Sequence, residues 1–158
     1  MQQSVVANEE GLRQLRFVLE GLGVDLVVAH SPGWVDSIGH GSIGTSHMDM
    51  VLLVVDVGKV VLSPHLVNYG FVRYLKSRGV EIIEMPVDEY WDLAVNGVTL
   101  APGKIVINRG SPTVVRELEK HAIDVIQVDF SESQKFAIAG LHCATLELVR
   151  DQPGPLLD

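Results

Sequence analysis

The sequence has few of the residues that crosslink or anchor a protein. Cys143 is the only cysteine in 158 residues, so the chain holds no partner for an internal disulfide. No apolar run approaches the ~20 residues that a membrane-spanning helix needs, and residues 1–4 do not begin as a secretory signal does. These absences predict a cytoplasmic protein with no membrane partner.

Basic residues are also scarce. The 12 Lys and Arg residues face 20 Asp and Glu residues, which gives a formal net charge of −8. This balance argues against a nucleic-acid partner, because a phosphate backbone is bound mainly by cationic side chains, and it favours a small cationic ligand. The length fits a single domain, residues 1–158, that buries roughly two-thirds of its unfolded surface.

What the chain does contain is a repeat. Each of three copies runs from a helical pattern through a small residue into an apolar strand and then a second β-rich block. One helical face of the first copy carries Leu12, Leu15, Leu19 and Leu22. The later helices are predicted at residues 71–76 and 114–120, and Pro112 stands where a first helical turn accepts proline. The strands that follow the three helices are predicted at residues 24–28, 80–85 and 123–128.

The second blocks differ between copies. They are predicted as a hairpin turning at Gly58, a hairpin turning at Pro102-Gly103, and a β-rich stretch 141–149 after a loop that holds Ser133 and Lys135. Alternating helices and strands predict an α/β protein whose units pack side by side, so that their loops converge on a shared centre. The predicted units span residues 8–64, 65–110 and 111–151, with a tail at 152–158.

The candidate chemistry is that of a cysteine nucleophile. Cys143 lies in the segment Gly-Leu-His-Cys-Ala-Thr, residues 140–145, and His47-Met48-Asp49 stands far upstream. A thiol, an imidazole and a carboxylate are the groups that a cysteine needs to attack an electrophilic carbon and protonate a leaving group. The alternative is structural, because a lone cysteine in an apolar stretch is often a small buried hydrophobe.

Two competing motifs do not fit their context. Residues 39–44 match the glycine pattern of dinucleotide-binding loops, but that pattern must open a helix, and here a strand follows. His30, His40, His47 and Asp49 match no common spacing of zinc ligands. We therefore expect neither a metal nor a cofactor, and we interpret the glycine-rich stretch before His47 as a flap over the site.

Three segments carry a family resemblance. Residues 8–15, the His47-Met48-Asp49 element and the segment around Cys143 resemble, in this order, the C-terminal part of the guanidino-group-modifying enzymes. That superfamily includes amidinotransferases, arginine deiminases and dimethylarginine dimethylaminohydrolases. Its pentein fold arranges five ββαβ units around a central active site. The resemblance implies an α/β partial pentein, also called an α/β-propeller, of about three such units.

The resemblance also implies roles for residues. Cys143 would attack the guanidinium carbon, His47 would act as acid and base, and Asp49 would bind the guanidinium group. The implied function is that of a cysteine-dependent hydrolase or amidinotransferase that acts on arginine or a derivative through a covalent amidino-cysteine. Asn96 begins a second block as Asp49 does, so we expect it to line the centre and contact the substrate.

Other side chains near these segments are expected to be structural. His142 adjoins Cys143 on a predicted strand, so it should point to the opposite face, as a packing residue or as a donor to a residue of the site. Trp34 and Trp91 are interpreted as wall or core residues, and Ser133 and Lys135 as solvated loop residues.

The chain departs from the family pattern in two ways. It has room for about three of five units, and the family's histidine-orienting carboxylate lies in the unmatched units. The glycine-rich run before the cysteine is reduced to Gly140. The alternative function is thus a catalytically inactive pentein module that serves as a binding or assembly unit. An arc of three units exposes sheet edges, which predicts a homo-oligomer, most simply a twofold dimer.

Overall fold

The computed structural model describes residues 1–3, 7–30, 47–137 and 139–148. Three sequence predictions lie outside these residues: those for Trp34, the stretch 39–44 and the tail 152–158. The side chains of Trp91 and Lys135 are likewise not described.

The described residues form short strands that alternate with helices. In chain order the regular elements are β1 Gln2–Gln3, α1 Glu9–Glu20, β2 Ala29–His30, β3 Leu52–Asp56, β4 Lys59–Leu62, α2 Tyr69–Ser77, β5 Glu81–Glu84, β6 Val98–Ala101, β7 Lys104–Asn108, α3 Pro112–Lys120, β8 Asp124–Val128 and α4 Ser131–Ala137. Single 3₁₀ turns include Met48–Met50 before β3 and Ala94–Asn96 before β6. The chain is therefore a mixed α/β protein with small sheets, and the helices predicted for all three copies are present.

Two three-stranded sheets share one layout. In each, an antiparallel hairpin (β3-β4 or β6-β7) is followed by a helix and by a strand (β5 or β8) that pairs in parallel with the second hairpin strand. The hairpins turn at Gly58 and Gly103, whose φ angles of +71° and +74° suit glycine. Both predicted hairpins are confirmed. Each sheet begins in one of the predicted units and ends in the next.

The strands alternate between two cores. On β4, Val61 faces the core that the two large sheets share, whereas Val60 and Leu62 face a second core with Ala29, Phe71 and Leu75. The shared core also contains Ile105 and Ile107 of β7 and Val114 and Leu118 of α3. Burial on both faces fixes the register of β4, because a slip by one residue would exchange the two sets. None of the helices in the described part of the chain has the length and apolar character needed to cross a bilayer.

The strand predicted at residues 24–28 is wrong. These residues have no strand pairing, and the short β2, Ala29–His30, pairs in parallel with β1, Gln2–Gln3. In the other copies the strand after the helix pairs with a complete hairpin strand, and this first copy offers only the two residues of β1 as a described partner. Residues 24–28 therefore have the apolar pattern of a strand but no described neighbouring strand to pair with.

The region before and around Cys143 also differs from its prediction. The loop predicted to hold Ser133 and Lys135 is the helix α4, where Asp129 Oδ1 accepts hydrogen bonds from Ser131 N and Oγ at 3.1 and 2.6 Å. The β-rich stretch predicted at 141–149 is a turn over residues 141–144 followed by residues 145–148 without regular structure. Its backbone donors are engaged elsewhere, since His142 N donates to Asn96 O and Thr145 N donates to His142 O, so they are not free for a strand ladder.

Candidate active site

Asp49 is placed by the 3₁₀ turn Met48–Met50. The next residues, Met50 and Val51, are buried at 8% and 0% exposure, and Val51 O accepts a hydrogen bond from Ser63 N at 2.8 Å. This packing fixes the turn at the start of β3 and leaves the Asp49 side chain 22% exposed. Because the backbone of the turn is held by its buried neighbours, the Asp49 carboxylate is free to contact a ligand.

Asn96 is placed by the equivalent turn before β6. Leu93 begins that turn with a left-handed backbone, φ +54°, and the three residues Ala94–Asn96 are all buried. The Asn96 side chain itself has no exposed surface. Its amide group therefore has to find its hydrogen-bond partners inside the protein.

Cys143 lies in the turn 141–144 that rests on Asn96. The backbone of this turn donates twice to Asn96, from His142 N to the carbonyl oxygen at 2.9 Å and from Cys143 N to Oδ1 at 3.2 Å. Gly140 enters the turn so close to Asn96 that an added Cβ would lie 2.7 Å from Oδ1. A glycine is thus required at position 140 by this close approach, since any side chain there would push the turn away.

One oxygen atom, Asp49 Oδ2, accepts hydrogen bonds from three side chains of the site. Asp49 Oδ2 accepts hydrogen bonds from Asn96 Nδ2 at 3.0 Å, from His142 Nδ1 at 2.9 Å and from Cys143 Sγ at 3.3 Å. Asn96 Nδ2 also lies 3.2 Å from Cys143 Sγ. The structure therefore brings Cys143, Asp49 and Asn96 together although they are far apart in the sequence.

The surroundings hold the cysteine as a neutral thiol in the ligand-free protein. Partial burial raises the pKa of Cys143 above its ordinary value, and the hydrogen bond and negative charge of Asp49 raise it further. The hydrogen bond from Asn96 acts in the opposite direction and lowers the pKa. A cation that neutralised Asp49 would remove the main electrostatic obstacle to ionisation of the thiol.

The two histidines near these residues are placed differently. His47 precedes the Asp49 turn with an extended backbone and an exposed side chain, and among the described contacts no hydrogen bond joins its imidazole to Cys143 or Asp49. His142, expected on the face opposite Cys143, instead shares the site, because residues 141–144 form a turn rather than a strand. The expected role of His142 as a donor to a site residue does agree with its bond to Asp49.

A cleft of about 290 Å³ opens beside Asp49 and His142. Its other described lining residues are Leu52, Leu53, Val54, Val95, Gly97, Thr99 and Glu147. The described lining contains two carboxylates and no lysine or arginine, so the cleft favours a cationic ligand. Thr99 and Glu147 were not predicted from the sequence. Strand alternation from Gly97 could have indicated Thr99, whereas Glu147 lies in a stretch without regular structure and gave no signal.

No metal site emerges from the residues described. Across residues 1–3, 7–30, 47–137 and 139–148, no three His, Cys, Asp or Glu side chains are grouped so that they could hold an ion. The polar groups of the candidate site bond to one another instead, with Asp49 at the centre.

Comparison with known sequences gives one matching family and several relatives. The profile of the family described as arginine deiminase matches residues 67–150. A 2-nitroimidazole nitrohydrolase from Mycobacterium sp. strain JS330 is 29% identical over 114 residues, which cover 71% of this chain and 30% of that protein. Inosamine-phosphate amidinotransferase 1 from Streptomyces glaucescens is 26% identical over 121 residues, covering 70% of this chain and 34% of that protein.

Solved structures show the same fold. An amidinotransferase of the saxitoxin biosynthetic pathway from Microseira wollei superposes with a TM-score of 0.77 at 21% identity, over 96% of this chain and 44% of that one. A DDAH mutant from Pseudomonas aeruginosa complexed with citrulline superposes with a TM-score of 0.68 at 22% identity, over 90% of this chain and 48% of that one. The chain thus spans about a third of the curated relatives named above and under half of these two solved chains.

Proposed function

Because this chain belongs to the arginine deiminase family, within the superfamily of enzymes that modify guanidino groups, we propose that it takes part in such a reaction. The proposed activity is that of a hydrolase or amidinotransferase acting on arginine or a related guanidino compound through a covalent amidino-cysteine. The observation that carries the proposal is the contact of 3.3 Å between Cys143 Sγ and Asp49 Oδ2 beside an acidic cleft. A nucleophile next to a cation-binding carboxylate suits an electrophile that is itself a cation.

Substrate binding is proposed to replace one contact of the free protein. A planar guanidinium donates two parallel N–H groups, a geometry that matches both oxygens of a carboxylate such as Asp49. Asp49 Oδ2 already accepts three donors, so the guanidinium must displace one of them. Of the two nitrogen donors, His142 is the one that can leave, because its side chain is 55% exposed whereas Asn96 is buried. The Cys143 thiol ceases to donate once it ionises.

The same binding step prepares the nucleophile. A guanidinium beside the sulfur offsets the charge of Asp49, which lowers the pKa of the Cys143 thiol from its raised value in the free protein. The thiol proton leaves to solvent as the thiolate forms. Ionisation is then coupled to the presence of a cationic substrate, and the empty site keeps a less reactive thiol.

The proposed chemistry has two steps. In the first, the thiolate attacks the guanidinium carbon, the C–S bond forms, the C–N bond to the leaving amine breaks, and His47 gives that amine a proton. In the second, His47 takes a proton from water or from an acceptor amine, which attacks the same carbon, and the C–S bond breaks to return the thiolate. Attack by water makes the protein a hydrolase, and attack by an amine makes it an amidinotransferase.

We also propose an assembly for the whole chain. It would form a single partial pentein domain of about three ββαβ-type units in a cytoplasmic homo-oligomer. Support comes from the repeated layout of the two sheets and from apolar side chains that α1 and the residues after it expose, such as Phe17 at 77% and Leu22 at 72%. Sedimentation velocity at micromolar concentration should show a dimer, and a stable monomer would contradict this part of the proposal.

The test of the function is direct detection of the intermediate. The protein is incubated with arginine, agmatine or a methylated arginine, quenched in acid and examined by intact-mass and peptide mass spectrometry. The proposal predicts an amidino adduct on Cys143 and release of the amine or of a urea-type product. The panel includes 2-nitroimidazole, whose C2 atom is bonded to three nitrogens as the guanidinium carbon is. Absence of both adduct and product with every compound would favour the alternative of an inactive binding or assembly module.

A further inference from the structure

The amide of Asn96 lies between the nucleophile and the carboxylate of the site. Its Nδ2 is 3.2 Å from Cys143 Sγ, 3.0 Å from Asp49 Oδ2 and 3.2 Å from the Asp49 carbonyl oxygen. Its Oδ1 accepts the Cys143 backbone N–H at 3.2 Å. This side chain has no exposed surface, so in the free protein all of its polar contacts are to the protein itself.

The partners fix the orientation of the amide. The Cys143 backbone N–H can only donate and the ionised Asp49 carboxylate can only accept, so Oδ1 must face Cys143 N and Nδ2 must face Asp49. The second N–H of the same nitrogen is then directed at the Cys143 sulfur or at Met50 Sδ, which lies 3.6 Å away. A buried N–H group beside the nucleophile is therefore a built-in feature of this arrangement.

We propose that Asn96 is a positioning residue that holds the Cys143 turn against Asp49 and stabilises the Cys143 thiolate through Nδ2. A thiolate accepts a hydrogen bond more strongly than a thiol does, so this contact strengthens at the moment the nucleophile ionises. The inference rests on the proposed function only for the use of that nucleophile. The effect on ionisation belongs to the free protein.

Another buried asparagine offers a matched control. Asn108, at the end of β7, is also buried and bridges separate segments: its amide nitrogen donates to Asp92 O at 3.2 Å and to Gln134 Oε1 at 2.7 Å, and its oxygen accepts from Phe130 N at 2.9 Å. None of its hydrogen-bond partners in the described structure is Cys143. Replacing Asn108 removes a comparable number of hydrogen bonds without touching the thiol.

The experiment measures the thiol pKa of Cys143 from the pH dependence of alkylation by neutral iodoacetamide. Loss of one hydrogen bond to a charged group corresponds to about one to two pKa units, so Asn96→Ala should raise the pKa by that amount and slow alkylation near neutral pH at least tenfold. Asn96→Asp, which removes the donor and adds a negative charge, should raise it further. Asn108→Ala should leave the pKa unchanged.

A second variant tests the same contact from the other side. In Gly140→Ala the new methyl group would lie 2.7 Å from Asn96 Oδ1, so the Cys143 turn must move away. Measured in an Asp49→Asn background, where no carboxylate opposes ionisation, the loss of the Asn96 contact should raise the thiol pKa. This variant keeps Asn96. It decides the test if circular dichroism shows that Asn96→Ala is unfolded. An unchanged thiol pKa in folded Asn96→Ala, or in Gly140→Ala in the Asp49→Asn background when the former is unfolded, overturns the inference. Because iodoacetamide needs no guanidino chemistry, this result is independent of whether the protein turns over any substrate.

Discussion

Two 3₁₀ turns occupy corresponding places in the fold and carry different groups. Met48–Met50 precedes the first strand of one hairpin, and Ala94–Asn96 precedes the first strand of the other. The first turn presents Asp49, 22% exposed, at the cleft, while the second encloses Asn96 completely. An accessible charge is suited to binding a ligand and a buried amide to holding its neighbours, so one repeated position carries two side chains with different proposed roles.

The two side chains act in opposite directions on the thiol between them. Asp49 raises the pKa of Cys143 and Asn96 lowers it. Their balance leaves a neutral thiol in the free protein and makes its ionisation sensitive to any change of charge at Asp49. Substitutions in the two turns should therefore shift the pKa of Cys143 in opposite directions.

The largest effect is expected at the residue on which both turns converge. Cys143→Ser replaces the sulfur by a poorer nucleophile, and it should reduce turnover of any guanidino substrate by about 10³-fold or more. The fold should persist, because Cys143 is exposed and has little packing to lose. Steady-state assays with circular dichroism as the control check this. Retention of a tenth of the activity would remove Cys143 from the mechanism.

The next prediction separates the two histidines that flank the Asp49 turn. His47→Ala should lower kcat by about 10²–10⁴-fold, as expected for loss of a general acid and base. His142→Ala should leave kcat within about tenfold and lower KM, because the cationic substrate no longer competes with its bond to Asp49. Measurement of kcat and KM for both variants decides the assignment. The reverse pattern would make His142 the acid and base.

Asp49→Asn makes the first turn chemically like the second. Without the carboxylate the guanidinium loses its charge-assisted pair, so KM should rise by about 10²-fold. The same substitution removes a negative charge beside the sulfur, so it should lower the thiol pKa, the opposite of Asn96→Ala. The pH dependence of iodoacetamide alkylation checks the second effect. A rise of the thiol pKa in Asp49→Asn would contradict the account of the balance.

The smallest effect concerns the starts of helices α2 and α3. Asn68 caps α2 by accepting from Phe71 N at 3.0 Å, whereas α3 is capped by a separate segment, since Glu89 accepts from Thr113 N and Val114 N at 2.8 and 3.0 Å. Asn68→Ala and Glu89→Gln should each lower the free energy of unfolding by about 1 kcal/mol at neutral pH, with activity retained.

The two caps should differ in their dependence on pH. Burial raises the pKa of the Glu89 carboxyl, but the hydrogen bonds of Thr113 and Val114 outweigh it, and the net pKa is lowered. A lowered folded pKa means that the contribution of Glu89 is complete above the unfolded pKa of about 4.3 and is lost as the pH falls through the folded value. Urea unfolding from pH 7 to pH 3 should show the Glu89→Gln difference shrinking and the Asn68→Ala difference constant. A Glu89→Gln difference that grows on acidification would contradict this cap.

Local patterns predicted the local elements. The helices α2 and α3, the strands β5 and β8 and both hairpins follow from apolar periodicity and from turn residues such as Gly58, which act over a few positions. The turn at Cys143 did not, because its apolar sequence suits a strand while its backbone donors bond to Asn96 and to its own neighbours. The place of His142 was missed for the same reason. A contact with a residue 46 positions away leaves no periodic signal.

The meeting of Cys143 with Asp49 was expected from a family resemblance rather than from spacing. Nothing local in either segment indicates the other, since their contact depends on how two sheets and the turn after α4 pack. The glycine at position 140 is explained only by that packing, because an added Cβ would strike Asn96. The resemblance thus indicated that Cys143 and Asp49 meet, whereas the contacts of Asn96 with both became visible only in the structure.

We propose that Asp49 and Cys143 together form a nucleophilic site for a cation. Alkylation of Cys143 by chloroacetamidine, a cation, can be compared with alkylation by chloroacetamide, its neutral counterpart. The ratio of the two rate constants cancels the thiolate fraction, and the account predicts a ratio at least about tenfold above that of a free thiol such as N-acetylcysteine. The ratio should fall to the free-thiol value in Asp49→Asn. A wild-type ratio equal to that of the free thiol would contradict the claim.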